Sequence, residues 1–263
     1  MIENKNNTRK LAIVIHTEEE FDWNGGFYRS NNKVTHGQEL IEFCEQMIAA
    51  GAKVTLAMDY AFVSCEQGQQ VIEHFKQSRN TNIEFATHLH PWVNPPFNEE
   101  NDQIDEFSSY PGNLTQQVER QKLKNLTDII TVLTGFAPTT YLAGRYGIGK
   151  NTNQTLKELG YKTDISISPF TDYTNQLGPN FNHRNNDIFI ENSITNWPHT
   201  TGVISKVPLL TQYFNVNPNY YAQSFQKLST KIINKLARVR RQRLSPEGFT
   251  LNDMKKLTLS QIT

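Results

Sequence analysis

The sequence has only two cysteines and no net charge. Cys44 and Cys65 are too few for a disulfide framework and lack the spacing of a cysteine-based metal motif. Cys44 lies on the apolar stripe of a predicted helix, which indicates a small buried hydrophobic residue. The 26 basic and 26 acidic residues cancel, so bulk charge gives no reason to expect nucleic acid or an acidic membrane surface as a partner.

Long apolar runs are also missing. No window approaches the roughly 20 apolar residues of a membrane span. The N-terminal run "LAIVI" is shorter than the apolar core of a signal peptide, and acidic residues follow it almost at once. We therefore expect a soluble, cytoplasmic protein without a membrane span.

Short apolar runs alternate with helical periodicity along most of the chain. The predicted strands are 10–16, 53–58, 82–90, a strand and turn over 139–147, and 161–168. The predicted helices are 36–50, 66–77, a long helix after residue 113, and 151–159. Strands separated by helices indicate a parallel α/β sheet, either open or closed into a barrel. Since there is neither an internal repeat nor a linker rich in Gly, Pro or Ser, residues 1–263 are predicted to form one domain.

The C-terminal part has a different pattern. Apolar residues at helical spacing predict one long helix over 219–243, with an inward face of Tyr221, Phe225, Leu228, Ile232 and Leu236. Its end, "ARVRRQR" (237–243), is interpreted as a solvated cationic helix terminus rather than a binding site for anions. A second helix is predicted over 250–262, with Thr250 as its N-cap.

Acidic side chains follow the first predicted strand. Glu18, Glu19 and Glu20 come directly after it. Carboxylates packed together raise one another's pKa, which leaves one able to take a proton and another free to bind a cation. The alternative is a solvated acidic loop.

Two further strand ends carry candidate ligands. His88 and His90 lie two residues apart in "ATHLHPW", so both side chains project from the same face of one strand end. Two imidazoles and one carboxylate form a common metal-binding set, although one histidine could instead hydrogen-bond locally while the other packs on Trp92. In "AGRYGIG" (143–149), glycines permit the backbone to come close to a ligand, and Arg145 offers a planar set of donors. The alternative is a glycine-rich turn that leads into the next helix.

These motifs, in this order, resemble those of the polysaccharide deacetylase family, the NodB-homology group, and most closely its WalW-like branch. The segments are "IVIHTEEEFDW", "ATHLHPWVNPPF" and "AGRYGIGKNTNQTLKELGYKTDISIS", with "RLSPEGFTLNDMKKLT" near the end. The resemblance implies a distorted (β/α) barrel that hydrolyses acetyl groups from saccharides with a divalent metal ion, for which zinc is the expected choice.

The resemblance also implies roles for individual residues. Glu18 falls on the general base, and Glu19 and His88 fall on metal ligands. The second histidine ligand of the family usually lies where this chain has Trp92, so His90 is predicted to replace it. The aromatic rings of Trp23, Trp92 and Tyr146 are predicted to bind the substrate, since such rings stack on sugar faces.

Three features of the chain depart from the family pattern. His16 stands where an acidic residue is expected, and Leu142 stands where an arginine usually holds the base, so Arg145 is predicted to take over that catalytic role. The chain ends before the strand that usually carries a catalytic histidine. We therefore expect an incomplete barrel, truncated at its C-terminus, in which His199 is the one late histidine that could compensate.

Two alternative functions remain open from the sequence. The departures at 16 and 142 and the missing strand fit a non-catalytic carbohydrate-binding relative of the deacetylases. A metal-free hydrolase of carbon–nitrogen bonds is the other alternative, although Glu18, Glu19 and His88 argue against it. All three hypotheses have a saccharide or a related small molecule, and no nucleic acid, as the partner.

Overall fold

A computed structural model describes residues 11–78, 81–97 and 100–262. Residue 10 of the predicted first strand lies outside these ranges. The strands are β1 Ile13–Thr17, β2 Phe27–Tyr28, β3 Val54–Met58, β4 Ile83–Leu89, β5 Gln103–Ile104, β6 Thr140–Ala143, β7 Thr163–Asp164, β8 Phe189–Glu191, β9 Ile194–Asn196, β10 Thr201–Ile204 and β11 Arg240–Arg243. The α-helices are α1 Gly37–Ala49, α2 Tyr60–Ser64, α3 Glu66–Gln77, α4 Gln116–Thr134, α5 Thr152–Glu158, α6 Pro208–Val216, α7 Asn219–Gln223, α8 Leu228–Leu236 and α9 Leu251–Ile262.

Seven strands form the main sheet, in the order β1-β3-β4-β6-β7-β9-β8. All neighbours are parallel except β8 and β9, which form an antiparallel pair at one edge. The predicted α/β class is confirmed, and the sheet is open, with β1 and β8 as its outer strands. Because neighbouring parallel strands end at the same edge, residues that follow β1, β3, β4 and β6 can meet there.

The main core lies between the sheet and the helices α1, α3 and α4. The apolar stripe of α4 is buried through Leu123, Leu126 and Ile130. Thr115 caps the start of α4 by accepting the Val118 N–H, and Gly135 ends the helix with a left-handed φ of 85°. Cys44 is fully buried in this core, as predicted, and burial raises the pKa of its thiol to about 11. Among the described residues, no helix is long and apolar enough to cross a membrane.

The predicted strand over 161–168 is mostly wrong, since only Thr163 and Asp164 join the sheet. Beyond Asp164 a side chain replaces a backbone acceptor in the pairing with β6, because Ser166 Oγ accepts the Ala143 N–H at 2.7 Å. Asp164 in turn accepts the Ser166 N–H at 2.9 Å. These local hydrogen bonds compete with backbone pairing and bend the chain away from the strand.

The single helix predicted over 219–243 is also wrong. The chain instead forms α7 and α8, and the left-handed residue Arg238, with φ of 50°, leads into strand β11. β11 pairs antiparallel with β10. The predicted inward residues Leu228 and Leu236 are largely exposed, at 74% and 76%. The cationic segment is therefore one strand of a two-stranded antiparallel sheet, and it is not a helix terminus.

The last helix, α9, is confirmed together with its predicted cap. Thr250 Oγ1 accepts the Asp253 N–H at 3.2 Å, and Asp253 Oδ2 accepts from the Thr250 hydroxyl at 2.9 Å. This reciprocal arrangement satisfies donors that the first helical turn leaves free.

Glu119 is a buried carboxyl group between α4 and α5. It is 2% exposed and accepts a hydrogen bond from Thr152 Oγ1 at 2.6 Å. Burial raises the pKa of Glu119 to about 7, although the hydrogen bond from Thr152 acts in the opposite direction. The folded protein therefore holds this proton more tightly than an unfolded chain does.

Glu119→Gln is expected to change the pH dependence of stability. Since the folded-state pKa lies above the ordinary value of 4.5, the free energy of unfolding falls as the pH rises through about 7. Glutamine keeps an acceptor for the Thr152 hydroxyl but cannot lose a proton. The decrease in the free energy of unfolding between low and high pH should therefore be smaller in the variant by about 3 kcal/mol. Urea unfolding at about pH 4 and about pH 8 measures this difference in the free energy of unfolding. The control is Glu158→Gln, which changes an exposed glutamate. An unchanged profile contradicts the buried, protonated state of Glu119.

Candidate metal-binding and catalytic site

Four strand ends of the sheet bring the predicted site residues together. Glu18 and Glu19 follow β1, Asp59 follows β3, His88 and His90 lie at the end of β4, and Gly144 follows β6. These strands are successive neighbours in the sheet. The predicted location of the site, at the carboxyl edge, thus corresponds to a real cluster of side chains.

His88 is buried and points at Glu18. Its Nδ1 lies 3.0 Å from the Leu142 carbonyl oxygen, and its Nε2 lies 2.9 Å from Glu18 Oε2. A carbonyl oxygen can only accept, so Nδ1 carries a proton and donates to it. In the neutral imidazole Nε2 then presents a lone pair to the carboxylate. A histidine fixed through one nitrogen by a carbonyl group, with the other nitrogen free, is typical of a metal ligand.

His90 repeats this arrangement with a carboxylate in place of the carbonyl group. Its Nδ1 lies 2.9 Å from Glu19 Oε2, and its Nε2 lies 3.5 Å from Glu18 Oε2. Nδ1 donates to Glu19, and Nε2 faces Glu18. The ring also stacks on Trp92, with centroids 4.3 Å apart. Two Nε2 atoms therefore converge on the same carboxylate oxygen.

Glu18 is the centre of this cluster. Burial would raise the pKa of its carboxyl group, but the positive charge that His90 and His88 carry when protonated outweighs that effect and lowers the pKa to about 2. His16 Nδ1 approaches the same oxygen at 3.8 Å, and its side chain remains 34% exposed. A carboxylate beside three imidazole rings is a donor set suited to a divalent cation.

Glu19 faces away from this point. Its carboxylate accepts the Trp92 Nε1–H at 2.6 Å as well as the His90 Nδ1–H. Asp59 hydrogen-bonds to Glu19, and burial and the charge of Glu19 raise the pKa of Asp59 well above its usual value. Burial raises the pKa of Glu19 too. Both shifts favour the protonated form of these two neighbouring carboxyl groups.

The arrangement of Glu18 and Glu19 differs from the one expected from the sequence. The sequence placed Glu19 beside both histidines and made Glu18 the proton acceptor. In the structure Glu18 contacts both Nε2 atoms, whereas Glu19 contacts only the far nitrogen of His90. Possible ligand groups divide accordingly into His16, Glu18 and His88 on one side and Glu19, Asp59 and His90 on the other.

Trp92 needs a correction as a substrate-binding residue. Its side chain is fully buried, packs on Phe21, Phe27 and His90, and donates to Glu19. No face of the ring is open to a sugar. Trp92 instead fixes the position of Glu19 and of the His90 ring.

The Pro-rich segment after His90 is held by a buried cation. Lys122 Nζ, on α4, donates to the carbonyl oxygens of Pro91, Asn94 and Pro96 at 3.0, 2.6 and 2.7 Å. Three carbonyl acceptors compensate the desolvation of the ammonium group. They also anchor the loop that begins at the second candidate histidine.

Gly144 allows β6 to approach His90. A Cβ atom at this position would lie 2.5 Å from the Leu89 carbonyl oxygen and 2.6 Å from His90 Cδ2. The glycine predicted to bring the backbone close to a ligand therefore brings it close to an imidazole ring. The next two residues, Arg145 and Tyr146, have left-handed φ values of 55° and 58°. Such strained pairs are common at functional sites.

Arg145 does not contact Glu18. Its guanidinium donates to Ser109 Oγ, to Glu106 Oε1 at 3.1 Å and to Gln176 Oε1 at 3.2 Å, and it stacks on the ring of Tyr110. It forms part of a cavity wall instead of holding a catalytic base.

Aromatic and imidazole rings line the other side of the cluster. Tyr146 lies between His16 and His199, with ring centroids at 5.9 and 5.2 Å. Burial and the nearby Arg243 lower the pKa of His199 to about 4, so this imidazole is neutral. His199, the late histidine singled out from the sequence, thus reaches the edge of the site.

Two cavities share part of their walls, and one of them is lined by Glu18. The first, of about 240 Å³, is lined by His16, Glu18, His88, His90, Tyr146 and Arg243 among others. The second, of about 500 Å³, is lined by Gly26, Phe27, Asp105 and Glu106 among others. Trp23, Arg145 and Gln176 belong to both walls. Trp23 is 61% exposed and remains available to a ligand.

Sequence reasoning missed Asp59 and Arg243. Asp59 had a usable signal, because it directly follows the second predicted strand in "KVTLAMD". Arg243 had none, because its segment was interpreted as helical and the strand position depends on pairing with β10.

No family model matches the sequence, and no curated protein matches it either. Several solved structures show a partial likeness. A GH57-type branching enzyme from Pyrococcus horikoshii aligns at 9% identity and a TM-score of 0.44, covering 72% of this chain and 46% of the enzyme. A putative polysaccharide deacetylase from Mycobacterium smegmatis aligns at 12% identity and a TM-score of 0.40, covering 71% and 58%.

The deacetylase domain of BpsB from Bordetella bronchiseptica aligns at 14% identity and a TM-score of 0.40, covering 60% of this chain and 64% of that domain. The aligned chain thus spans only about half to two thirds of the length of these structures. At these identities and TM-scores, neither an activity nor a family is assigned to the chain from them.

Proposed function

We propose that this protein is a metal-dependent hydrolase that removes acetyl groups from a saccharide. The observation that carries the proposal is the convergence of His88 Nε2 and His90 Nε2 on Glu18 Oε2, at 2.9 and 3.5 Å. The sequence resemblance to polysaccharide deacetylases supports the type of reaction. Membership of that family, and of its WalW-like branch, is part of the proposal.

The donor groups fit a divalent ion. Each of the two histidines donates its Nδ1–H to an acceptor of the protein, Leu142 O or Glu19, so each Nε2 is left as a lone pair. In the neutral state both lone pairs face the ionised Glu18, an arrangement that is repulsive unless a proton or a cation lies between them. His88, His90 and Glu18 would hold the ion, and nitrogen and oxygen donors of this kind suit zinc.

When bound, such an ion polarises the acyl carbonyl group and lowers the pKa of a water molecule. Glu19 and Asp59 orient His90 through their shared hydrogen bonds. Glu18 carries the negative charge of the donor set, and both Nε2 atoms face its Oε2, so it is assigned as a ligand and not as the base. This division supports Glu18 as a ligand and Glu19 as a positioning residue.

His16 is then the proposed proton acceptor. It lies 3.8 Å from Glu18 and is partly exposed in the cavity. In the proposed reaction His16 takes the proton of the attacking water and returns it to the leaving group.

The cavities are suited to part of a saccharide. Their walls combine the exposed ring of Trp23 with the polar groups of Asp105, Glu106 and Gln176. An indole ring can stack on a sugar face while the polar groups bind hydroxyl groups.

Metal analysis and acetate release together test the function. We expect purified protein to bind one zinc ion and to release acetate from N-acetylglucosamine oligomers, and we expect a chelator to stop the release until zinc is restored. His88→Ala should lower zinc affinity by more than about 100-fold and abolish turnover, because it removes a direct donor.

His74→Ala is the matched control, since His74 is an exposed histidine that pairs with Glu45 away from the site. It should retain metal and activity. Saccharide binding without metal or turnover would support a carbohydrate-binding relative instead. Acetate release that a chelator leaves unchanged would support a metal-free hydrolase.

A further inference from the structure

Arg243 reaches the wall of the cavity that contains Glu18. It lies at the end of strand β11, opposite Thr201 of β10, and its guanidinium packs on the Tyr146 ring, 4.3 Å from the centroid. The same cavity is lined by His16 and Glu18. Strand β11 thus brings a cation to the candidate site.

The donors of Arg243 are unused by the rest of the protein. Arg145 donates to three acceptors, Arg240 pairs with Asp253 at 2.5 Å, and Arg241 donates to two carbonyl oxygens. Over residues 11–78, 81–97 and 100–262, the Arg243 guanidinium makes no hydrogen bond and no ion pair, and its Nη1 is buried without a partner. Buried polar groups are normally satisfied, so this orphaned group indicates a missing acceptor.

The surroundings of Arg243 leave its charge uncompensated. Tyr146 is uncharged, and His199 is neutral. Glu18 and Glu247 line the same cavity, but neither forms an ion pair with Arg243 among the described residues. Desolvating a cation without a counter-charge is costly. An anion in the cavity would relieve that cost.

We propose that Arg243 binds a carboxylate group carried by the ligand of this cavity, so that the protein selects an acidic saccharide. The proposal rests on the function proposed above and specifies its substrate class. A guanidinium group presents two parallel N–H donors that match the two oxygens of a carboxylate, and stacking on Tyr146 fixes the plane of that fork. A phosphate group, with nearly two charges, would be repelled more strongly by Glu18 and Glu247 in the same cavity.

A binding comparison between D-glucuronate and D-glucose tests the proposal directly. The two sugars differ in one carboxylate group, and binding is followed by NMR titration of the full chain. We expect wild-type protein to bind glucuronate about tenfold more tightly than glucose, as one charge-assisted pair predicts. The titration is done with chelator-treated protein, so that a carboxylate bound through a metal ion does not contribute.

Three variants complete the test. Arg243→Gln should remove the preference for glucuronate, and Arg243→Lys should keep part of it because the charge remains without the planar fork. Arg240→Gln changes an arginine of the same strand that lies outside the cavity, and it should retain the preference. Unchanged thermal stability of Arg243→Gln shows that the loss is not unfolding.

Equal glucuronate binding by wild-type protein and Arg243→Gln, or equal binding of both sugars by the wild type, overturns the carboxylate site. Neither result depends on a metal ion or on turnover. Failure of the hydrolase function is seen separately, as absence of acetate release with the Arg243 preference intact.

Discussion

Glu18→Gln is expected to abolish both metal binding and hydrolysis. The substitution keeps the size of the side chain but removes the charge on which the Nε2 atoms of His88 and His90 converge. Zinc affinity should fall by more than about 100-fold, and acetate release by about 10³-fold. Equilibrium dialysis with zinc and initial rates at saturating metal measure the two losses.

Glu19→Gln is the matched comparison, because the two carboxylates are adjacent in the chain. Glu19 contacts the far nitrogen of His90, so its loss should weaken zinc binding by only about 10–100-fold. It should also lower the melting temperature, since the Trp92 N–H and Asp59 lose a carboxylate partner in a buried position. If Glu19→Gln loses metal more completely than Glu18→Gln does, the sequence-based assignment of Glu19 as the ligand is restored.

The strands and helices that position the site could be predicted because their signals are local. The runs over 53–58 and 82–90 are β-branched and apolar, and the structure contains β3 and β4 there. The helix predicted over 66–77 has the same bounds in the structure as in the sequence. Placing His88 and His90 at a strand end required only this order of elements and the general position of sites in parallel sheets.

The division of tasks between Glu18 and Glu19 could not be predicted in the same way. Neighbouring residues after a strand point in different directions, and which one faces the histidines depends on the register between β1, β3 and β4. Asp59 is a partner of Glu19 that comes from another strand. It follows β3, between the other two strands, and hydrogen-bonds to Glu19.

The C-terminal segment shows the limit of periodicity. Leu228, Ile232 and Leu236 have helical spacing and do lie in a helix, but the predicted buried face is exposed. Beyond residue 237 the helical pattern is overruled by pairing with β10, a contact between segments about 40 residues apart. That pairing turns a series of arginines from a solvated helix end into a strand with Arg243 in the cavity wall.

Trp92→Ala is expected to cause the largest loss of stability, although Trp92 and Trp23 had the same predicted task of binding a sugar. Trp92 is fully buried, so truncation leaves a cavity and should cost about 3–5 kcal/mol in urea unfolding. Trp23 is 61% exposed, and Trp23→Ala should change stability by no more than about 0.5 kcal/mol while weakening saccharide binding.

Trp92→Phe separates the two contributions of the buried ring. Phenylalanine retains an aromatic face for His90 but cannot donate to Glu19, whose oxygen accepts the indole N–H at 2.6 Å. It should cost about 1–3 kcal/mol and reduce zinc affinity, because Glu19 then holds His90 less firmly. If Trp92→Phe and Trp23→Ala instead weaken sugar binding equally at unchanged stability, Trp92 touches the ligand, and the cluster around Glu19 must open when the ligand binds.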